Sequence, residues 1–320
     1  MTLGIDVSKD TIDVTLIDKE GDKHHATFKN KEKGFKKLIG WLKKYGVEVD
    51  NLHICMEATN IYWEDLALYL HSKGYKVSVV NPARIKGFAN SQLRRNKTDK
   101  QDSEVIADFC AAMGPDEWIP PSDDQRKLRA LVRHLEGLKK TLTQQKNRLA
   151  SCKDKDVKRS LQIVIDALKK EIASVEQQIK DLIKSRTELK EQYDLLTSIK
   201  GFGPQTTYKL MAEVYDLANY ESASAAAADA GLNPSHHESG SSVKRKPRLS
   251  KVGKASVRAA LYLPAITAIR YNPLIQVFVK RLEAKGKHTM VIIAAVMRKL
   301  LHIAYGVLKN KKAFDPEYSH

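Results

Sequence analysis

The sequence predicts a layered α/β domain, then a long antiparallel coiled-coil insertion, then a mostly α C-terminal domain with a helix-hairpin-helix. Three patterns carry this. Strand-like alternation gives way to alternating helix and strand periods over residues 2–113. Apolar residues then recur at three- and four-residue steps over 128–182. Beyond residue 190, helical stretches meet at a glycine-bounded turn.

Residues 2–8 and 11–18 read as two strands around a short polar turn, and a third follows at 23–29. An amphipathic helix near 31–45, the strand LHICME, a helix near 61–73, the strand YKVSVVN and a helix from about 98 to 113 complete the unit. The order βββαβαβ, then a helix, is that of a ribonuclease-H-like layered domain. Pro120, Pro121 and SDDQ close it. The repeat of Leu128, Leu131, Leu135, Leu138, Leu142 and Leu149 is answered by Leu161, Ile165, Leu168, Ile172, Val175, Ile179 and Leu182 across a lysine-rich break near 151–160. An antiparallel hairpin is the simplest arrangement, and either arm pairing with another subunit is the alternative. In LLTSIKGFGPQTTYKLMAEV, Gly201, Phe202 and Gly203 join two helical stretches. Such a turn either presents backbone N–H groups to a nucleic-acid phosphate or simply packs. The expected divisions are 1–123, 124–190 and 191–320.

Lys and Arg number 55 against 38 Asp and Glu, a formal charge of +17, which favours a polyanionic partner, nucleic acid first. The three cysteines, Cys55, Cys110 and Cys152, form no CxxC pair, and no secretory leader is recognisable; a reduced prokaryotic cytosol fits. Met290 to Leu308 is apolar but interrupted by Arg298, Lys299 and His302, so it reads as a core helix rather than a membrane span.

Breaking or joining a phosphodiester needs an aligned nucleophile and neutralisation of the leaving oxygen, which paired divalent ions roughly 3.5–4 Å apart supply. Magnesium prefers carboxylates and water. The topology puts Asp6 in the first strand, Glu57 at the end of LHICME, and Asp99 and Asp102 in the first turn of the helix near 98–113. Three residues apart on a helix, Asp99 and Asp102 share a face. Singly, each acid has an ordinary explanation as a strand end, a cap or an N-terminal helix charge; together they form a metal site. Arg94, Arg95 and Lys97 add charge to guide DNA. Asp10, Asp13 and Asp18 are set aside, as members of a turn and of the hairpin's outer face.

These residues stand in strings that resemble a known family. GIDVSKD, CMEATNIYWEDLALYL, VNPARIKGFANS, NKTDKQDSEVIADF, IKGFGPQTTYKLMAEV, AGLNPSHHESG and LSKVGKASVRAALY are similar, in this order and over nearly the whole chain, to the DEDD transposases of insertion-sequence family 110, relatives of the RuvC junction resolvases. The resemblance implies a RuvC-like nuclease domain, a coiled coil and a C-terminal domain with a serine nucleophile. It also implies donor and target DNA, a structured bridge RNA that pairs with both, and a homodimer or dimer of dimers in which one subunit's serine works with another's acids. Mg2+ is the implied cofactor, with Mn2+ as a substitute; no membrane is implied.

The family's serine precedes a glycine, which here is Ser239 before Gly240, with Ser241 and Ser242 as neighbours. Many members carry a second serine where this chain has Glu238, a departure that leaves the nucleophile less determined than the acids. A serine hydroxyl needs a base or a polarised phosphate to attack, and would leave a covalent phosphoserine. Alone, this stretch reads as a Gly/Ser loop with solvated His236 and His237. Lys244, Arg245, Lys246, Arg248, Lys251, Lys254 and Arg258 follow, either a nucleic-acid backbone groove or a solvated charge run. Three other functions compete with a recombinase. A hydrolytic junction resolvase would use the same acids. An actin-like sugar kinase shares a similar first hairpin but would need later glycine-rich nucleotide motifs that are missing, and an inactive nucleic-acid scaffold would need no metal.

Overall fold

The computed structural model describes residues 1–58, 61–92, 98–215, 217–239 and 243–316, with the backbone alone at 236–239 and 243–247. It divides into two compact units, Met1–Pro120 and Pro121–His320.

In the first unit β1 (Thr2–Val7), β2 (Thr11–Ile17) and β3 (Lys23–Lys29) form an antiparallel meander. Then come α1 (Glu32–Lys44), β4 (His53–Glu57), α2 (Glu64–Ser72), β5 (Lys76–Val80), α3 (Pro82–Ser91) and α4 (Asp99–Met113). The sheet order is β3-β2-β1-β4-β5, with β4 parallel to both β1 and β5, which fits the ribonuclease-H-like order. Alternation divides the side chains between two faces. Leu3, Ile5, Ile12, Val14, Leu16, Ile54 and Met56 bury one face with Phe35, Leu38 and Leu42 of α1 and Leu66 and Leu70 of α2. The opposite face carries α4.

Helix α3 was not anticipated. Among its residues only Ile85 is buried, so no apolar stripe marks it. It forms because Pro82 suits the first helical position and the Asn81 side chain accepts the Ala83 N–H.

The second unit opens with α5 (Asp123–Ser151) and α6 (Lys155–Lys184). The break expected near 151–160 narrows to 152–154. Asp154 accepts the N–H groups of Asp156 and Val157, and this cap starts α6 early. Lys139 bridges the helices to Glu176 at 2.7 Å. Leu128, Val132, Leu135, Val175, Ile179 and Leu182 belong to the core of the whole unit. The remaining elements are α7 (Thr187–Thr197), α8 (Pro204–Glu213), α9 (Ala223–Asp229), β6 (Pro234–Ser239), β7 (Val243–Leu249), α10 (Ala255–Tyr271), α11 (Pro273–Ala284) and α12 (Thr289–Asn310). Helix α12 is long and apolar enough to cross a membrane. Its Ile292, Val296, Leu300, Leu301 and Ala304 nonetheless lie in the core, as the sequence reading expects.

The expected Gly/Ser loop is bounded by strands: β6 and β7 pair antiparallel, with Ser239 opposite Val243. Nearly all their residues are polar, so no period-two apolar signal announced them.

Candidate active site

The sheet register assembles the site. Thr2, Gly4 and Asp6 of β1 lie opposite Ile17, Thr15 and Asp13 of β2, and Thr15 and Asp13 in turn lie opposite His25 and Thr27 of β3. On the other side Thr2 and Gly4 neighbour His53 and Cys55 of β4, and Glu57 continues that series beside Asp6. Directly opposed residues share a face, and this is the face that α4 covers.

Helix α4 sits close because of Gly4. A Cβ there would fall 2.2 Å from Ala107 N and Ser103 O. The buried hydroxyls of Thr15 and Ser103 hydrogen-bond at 2.8 Å. Lys23 of β3 pairs with Glu104 and Asp108, each at 2.8 Å. The Thr98 side chain caps the helix by accepting the Gln101 N–H, and Asp99 and Asp102 occupy the first turn, where the dipole favours carboxylates.

As a result Asp6, Asp99 and Asp102 present carboxylate oxygens within 4.8 Å of one another. Glu57 is not one of that triad, but its charge reaches Asp6. Burial first, then Asp102, Asp99, Glu57 and Asp13, push the Asp6 carboxyl up to about 6 from 3.8. Several carboxylates gathered around a partly buried Asp6 call for a cation. Its all-oxygen donors on a partly exposed face fit a hard divalent ion.

The sequence pattern puts Asp13 on the hairpin's outer face, and the register corrects this. It lies directly across from Asp6, on the α4 face. The turn at 8–10 makes residues whose numbers sum to nineteen face each other, a symmetry legible in GIDVSKDTIDV. Asp10 stays in the turn, where its carbonyl accepts the Asn30 N–H, and Asp18 binds His24 at 2.6 Å.

A second donor group, His53, Cys55 and Cys110, lies on the same face of the sheet. Cys110 donates to His53 O at 3.6 Å, His53 Nε2 meets Ser78 Oγ at 2.7 Å, and Ser78 donates to Asp116 O at 2.7 Å. With the thiols 0% and 1% exposed, the group satisfies itself and reads as core.

In the second unit Gly201 has φ +113°, and a Cβ would come 3.0 Å from Ala268 Cβ and 3.2 Å from Pro264 O. It is a packing glycine against α10. Gly203 is the N-cap of α8, with open space around it. Of the basic series, Lys254 bonds Asp229 at 3.0 Å and the Tyr220 hydroxyl at 3.1 Å, and Arg258 donates to Ala230 O and Gly253 O. Those two cations are spent largely on the turn into α10, whereas Arg248 and Lys251 are exposed. Ser239 ends β6, and Lys244, Arg245 and Lys246 lie in β7. Arg94, Arg95, Lys97, Gly240, Ser241 and Ser242 lie outside the described residues, as do the side chains of His236, His237, Glu238, Ser239, Lys244, Arg245 and Lys246.

Residues 3–154 match the family model described as Transposase, of the DEDD, IS110 type. Residues 193–280 match that of the Transposase IS116/IS110/IS902 family. The pilin gene-inverting proteins of Moraxella bovis and Moraxella lacunata are each 37% identical over 314 residues, covering 98% of this chain and 97% of theirs. The insertion element IS110 43.6 kDa protein of Streptomyces coelicolor is 26% identical over 160 residues, 49% of this chain and 39% of that one.

Proposed function

The chain belongs to the IS110 family of DEDD transposases, and from that premise we propose that Asp6, Glu57, Asp99 and Asp102 hold Mg2+ while Ser239 attacks the DNA. The enzyme is a DNA transposase or recombinase, its substrate is DNA, and DEDD transposases work with divalent metal. The convergence of Asp6, Asp99 and Asp102 within 4.8 Å is the observation that carries the reading.

A bound divalent cation supplies charge neutralisation at the scissile phosphate and its leaving oxygen. The acids orient it from β1, β4 and the first turn of α4. The Ser239 Oγ gives up its proton and forms a bond to phosphorus, the phosphorus bond to a deoxyribose oxygen breaks, and the released oxygen takes up a proton. Rejoining reverses the step: a strand-end hydroxyl attacks the phosphoserine and Ser239 leaves. The phosphoester bond is conserved, so exchange through a Holliday-like junction needs no external energy source.

Residues 1–123 then form a RuvC-like nuclease domain, 124–190 a coiled-coil helical hairpin and 191–320 the transposase domain, and the enzyme works as a homodimer or homotetramer. Within that last domain the Gly201–Gly203 turn acts as a helix-hairpin-helix that contacts the DNA backbone through Gly203. Arg94, Arg95, Lys97, Lys244, Arg245, Lys246, Arg248 and Lys251 neutralise phosphates. A bridge RNA supplies sequence choice, and the inverting relatives suggest that the same chemistry can act between two sites of one DNA molecule. With DNA as its substrate, the enzyme works in the prokaryotic cytosol, at the nucleoid.

The test incubates the full chain with its guide RNA, Mg2+ and end-labelled donor DNA, then denatures the mixture. The wild-type chain should trap a covalent protein–DNA adduct that Ser239→Ala and Asp6→Asn both lose. An adduct that persists in Ser239→Ala defeats the nucleophile assignment. Nicking without any adduct would mark a hydrolytic resolvase instead.

A further inference from the structure

The proposed metal reading uses four acids, and the register supplies a fifth. Asp6 and Asp13 oppose each other on β1 and β2, and like charges directly across an antiparallel pair are destabilising. Nothing in the packing demands an acid at 13, since its cross-strand partner on β3 is Thr27. Yet Asp13 is held with care. The Thr27 hydroxyl donates to Asp13 Oδ1 at 2.6 Å, and His25 Nε2 stands 3.6 Å from the same oxygen. The side chain is 14% exposed. A carboxylate fixed by one of its oxygens, beside a second carboxylate, on the face that presents Asp99 and Asp102, is organised to act on what Asp6 binds.

We infer that Asp13 is a positioning residue for the acidic site: its charge beside Asp6 strengthens divalent-cation binding, and the hydrogen bond from the Thr27 hydroxyl fixes its orientation. Glu57 flanks Asp6 from β4 and Asp13 flanks it from β2, so Asp6 is bracketed by acids along the sheet as well as faced by two from α4. The inference rests on the metal-site reading, and one set of variants separates the two.

Mn2+ is titrated into the full-length chain without DNA, and free Mn2+ is followed by electron paramagnetic resonance. Asp6→Asn should abolish the tight site. Asp13→Asn, which keeps shape and the Thr27 contact while deleting the charge, should weaken binding by about tenfold, the order of effect of one unit charge at this range in a partly exposed site. Asp13→Glu should recover most of it. Thr27→Val keeps the charge but frees the carboxylate, and should weaken binding about two- to threefold. In strand-exchange assays, Asp13→Asn should raise the Mg2+ concentration at half-maximal rate and recover near-wild-type rate at saturating Mg2+. A merely structural residue would not show that recovery. Wild-type Mn2+ affinity in Asp13→Asn, alongside loss in Asp6→Asn, overturns the role of Asp13 and leaves the metal site standing. Undiminished binding in Asp6→Asn overturns the metal site itself. If Asp13→Asn does not fold, as judged by tryptophan fluorescence, Thr27→Val decides: unchanged affinity there overturns the inference.

Discussion

Replacing Asp6 with Asn should stabilise the metal-free protein, although it removes a proposed metal ligand. The native state holds the Asp6 proton up to about pH 6, against 3.8 for an unperturbed aspartate carboxyl. That difference of about 2 units corresponds to about 3 kcal/mol at 1.36 kcal/mol per unit. The carboxyl is only partly buried, so solvent screening reduces the figure to about 1–2 kcal/mol. Because the folded pKa is raised, the native state binds the proton more tightly than the unfolded chain does. Stability is therefore unaffected below about pH 4, falls as pH rises through the window from 4 to 6, and stays lowered above it. Asn cannot ionise and escapes this loss. The assay is urea unfolding in EDTA followed by tryptophan fluorescence. The three tryptophans, Trp41, Trp63 and Trp118, all lie in the first unit, so the signal reports the sheet that carries the site. Asp6→Asn should match wild type near pH 4 and exceed it by about 1–2 kcal/mol at pH 8. Added Mg2+ should stabilise wild type and leave the variant unmoved. A variant equal to or weaker than wild type at pH 8 in EDTA would refute the claim that the acids strain the apo fold.

Gly4→Ala should separate α4 from β1, because its new methyl would meet backbone at 2.2 Å, not a yielding side chain. A loss of about 1–3 kcal/mol in the same fluorescence assay, with Mn2+ affinity reduced alongside, is expected. In the second unit, burial alone would raise the Glu213 carboxyl, but hydrogen bonds from Arg133 and Ser256 and the charges of Arg133 and Arg129 outweigh it and its pKa is lowered. Its contribution is thus present above about pH 4.5 and lost as pH falls through the lower native value. Glu213→Gln should cost about 1–3 kcal/mol at pH 7 by circular dichroism, and the gap should close in acid. Replacing Lys244 and Arg245 together with Gln should weaken DNA binding at all sequences and reduce the salt slope of log affinity by up to about 2. An unchanged slope would remove β7 from the DNA-contacting surface.

The amino-acid sequence by itself determined the elements and the chemistry available to them. Period-two alternation set β1 to β5, leucine spacing set α5 and α6, and acids at 6, 57, 99 and 102 stood at strand ends and a helix start, where local patterns are strong. Short polar elements were not legible. Helix α3 buries only Ile85, and the sequences of β6 and β7 are nearly all polar, so neither leaves a periodic apolar trace. Only the tertiary structure decided which side chains share a face. Asp13 joined the acids because the hairpin register puts it across from Asp6, and Gly201 proved to be where α10 packs. Lys254 and Arg258, two of seven cations alike in sequence, pair with Asp229 and with the Ala230 and Gly253 carbonyls. Propensity acts over a few neighbouring residues, whereas register, close approach and ion pairing join residues distant along the chain and exist only once the elements have packed.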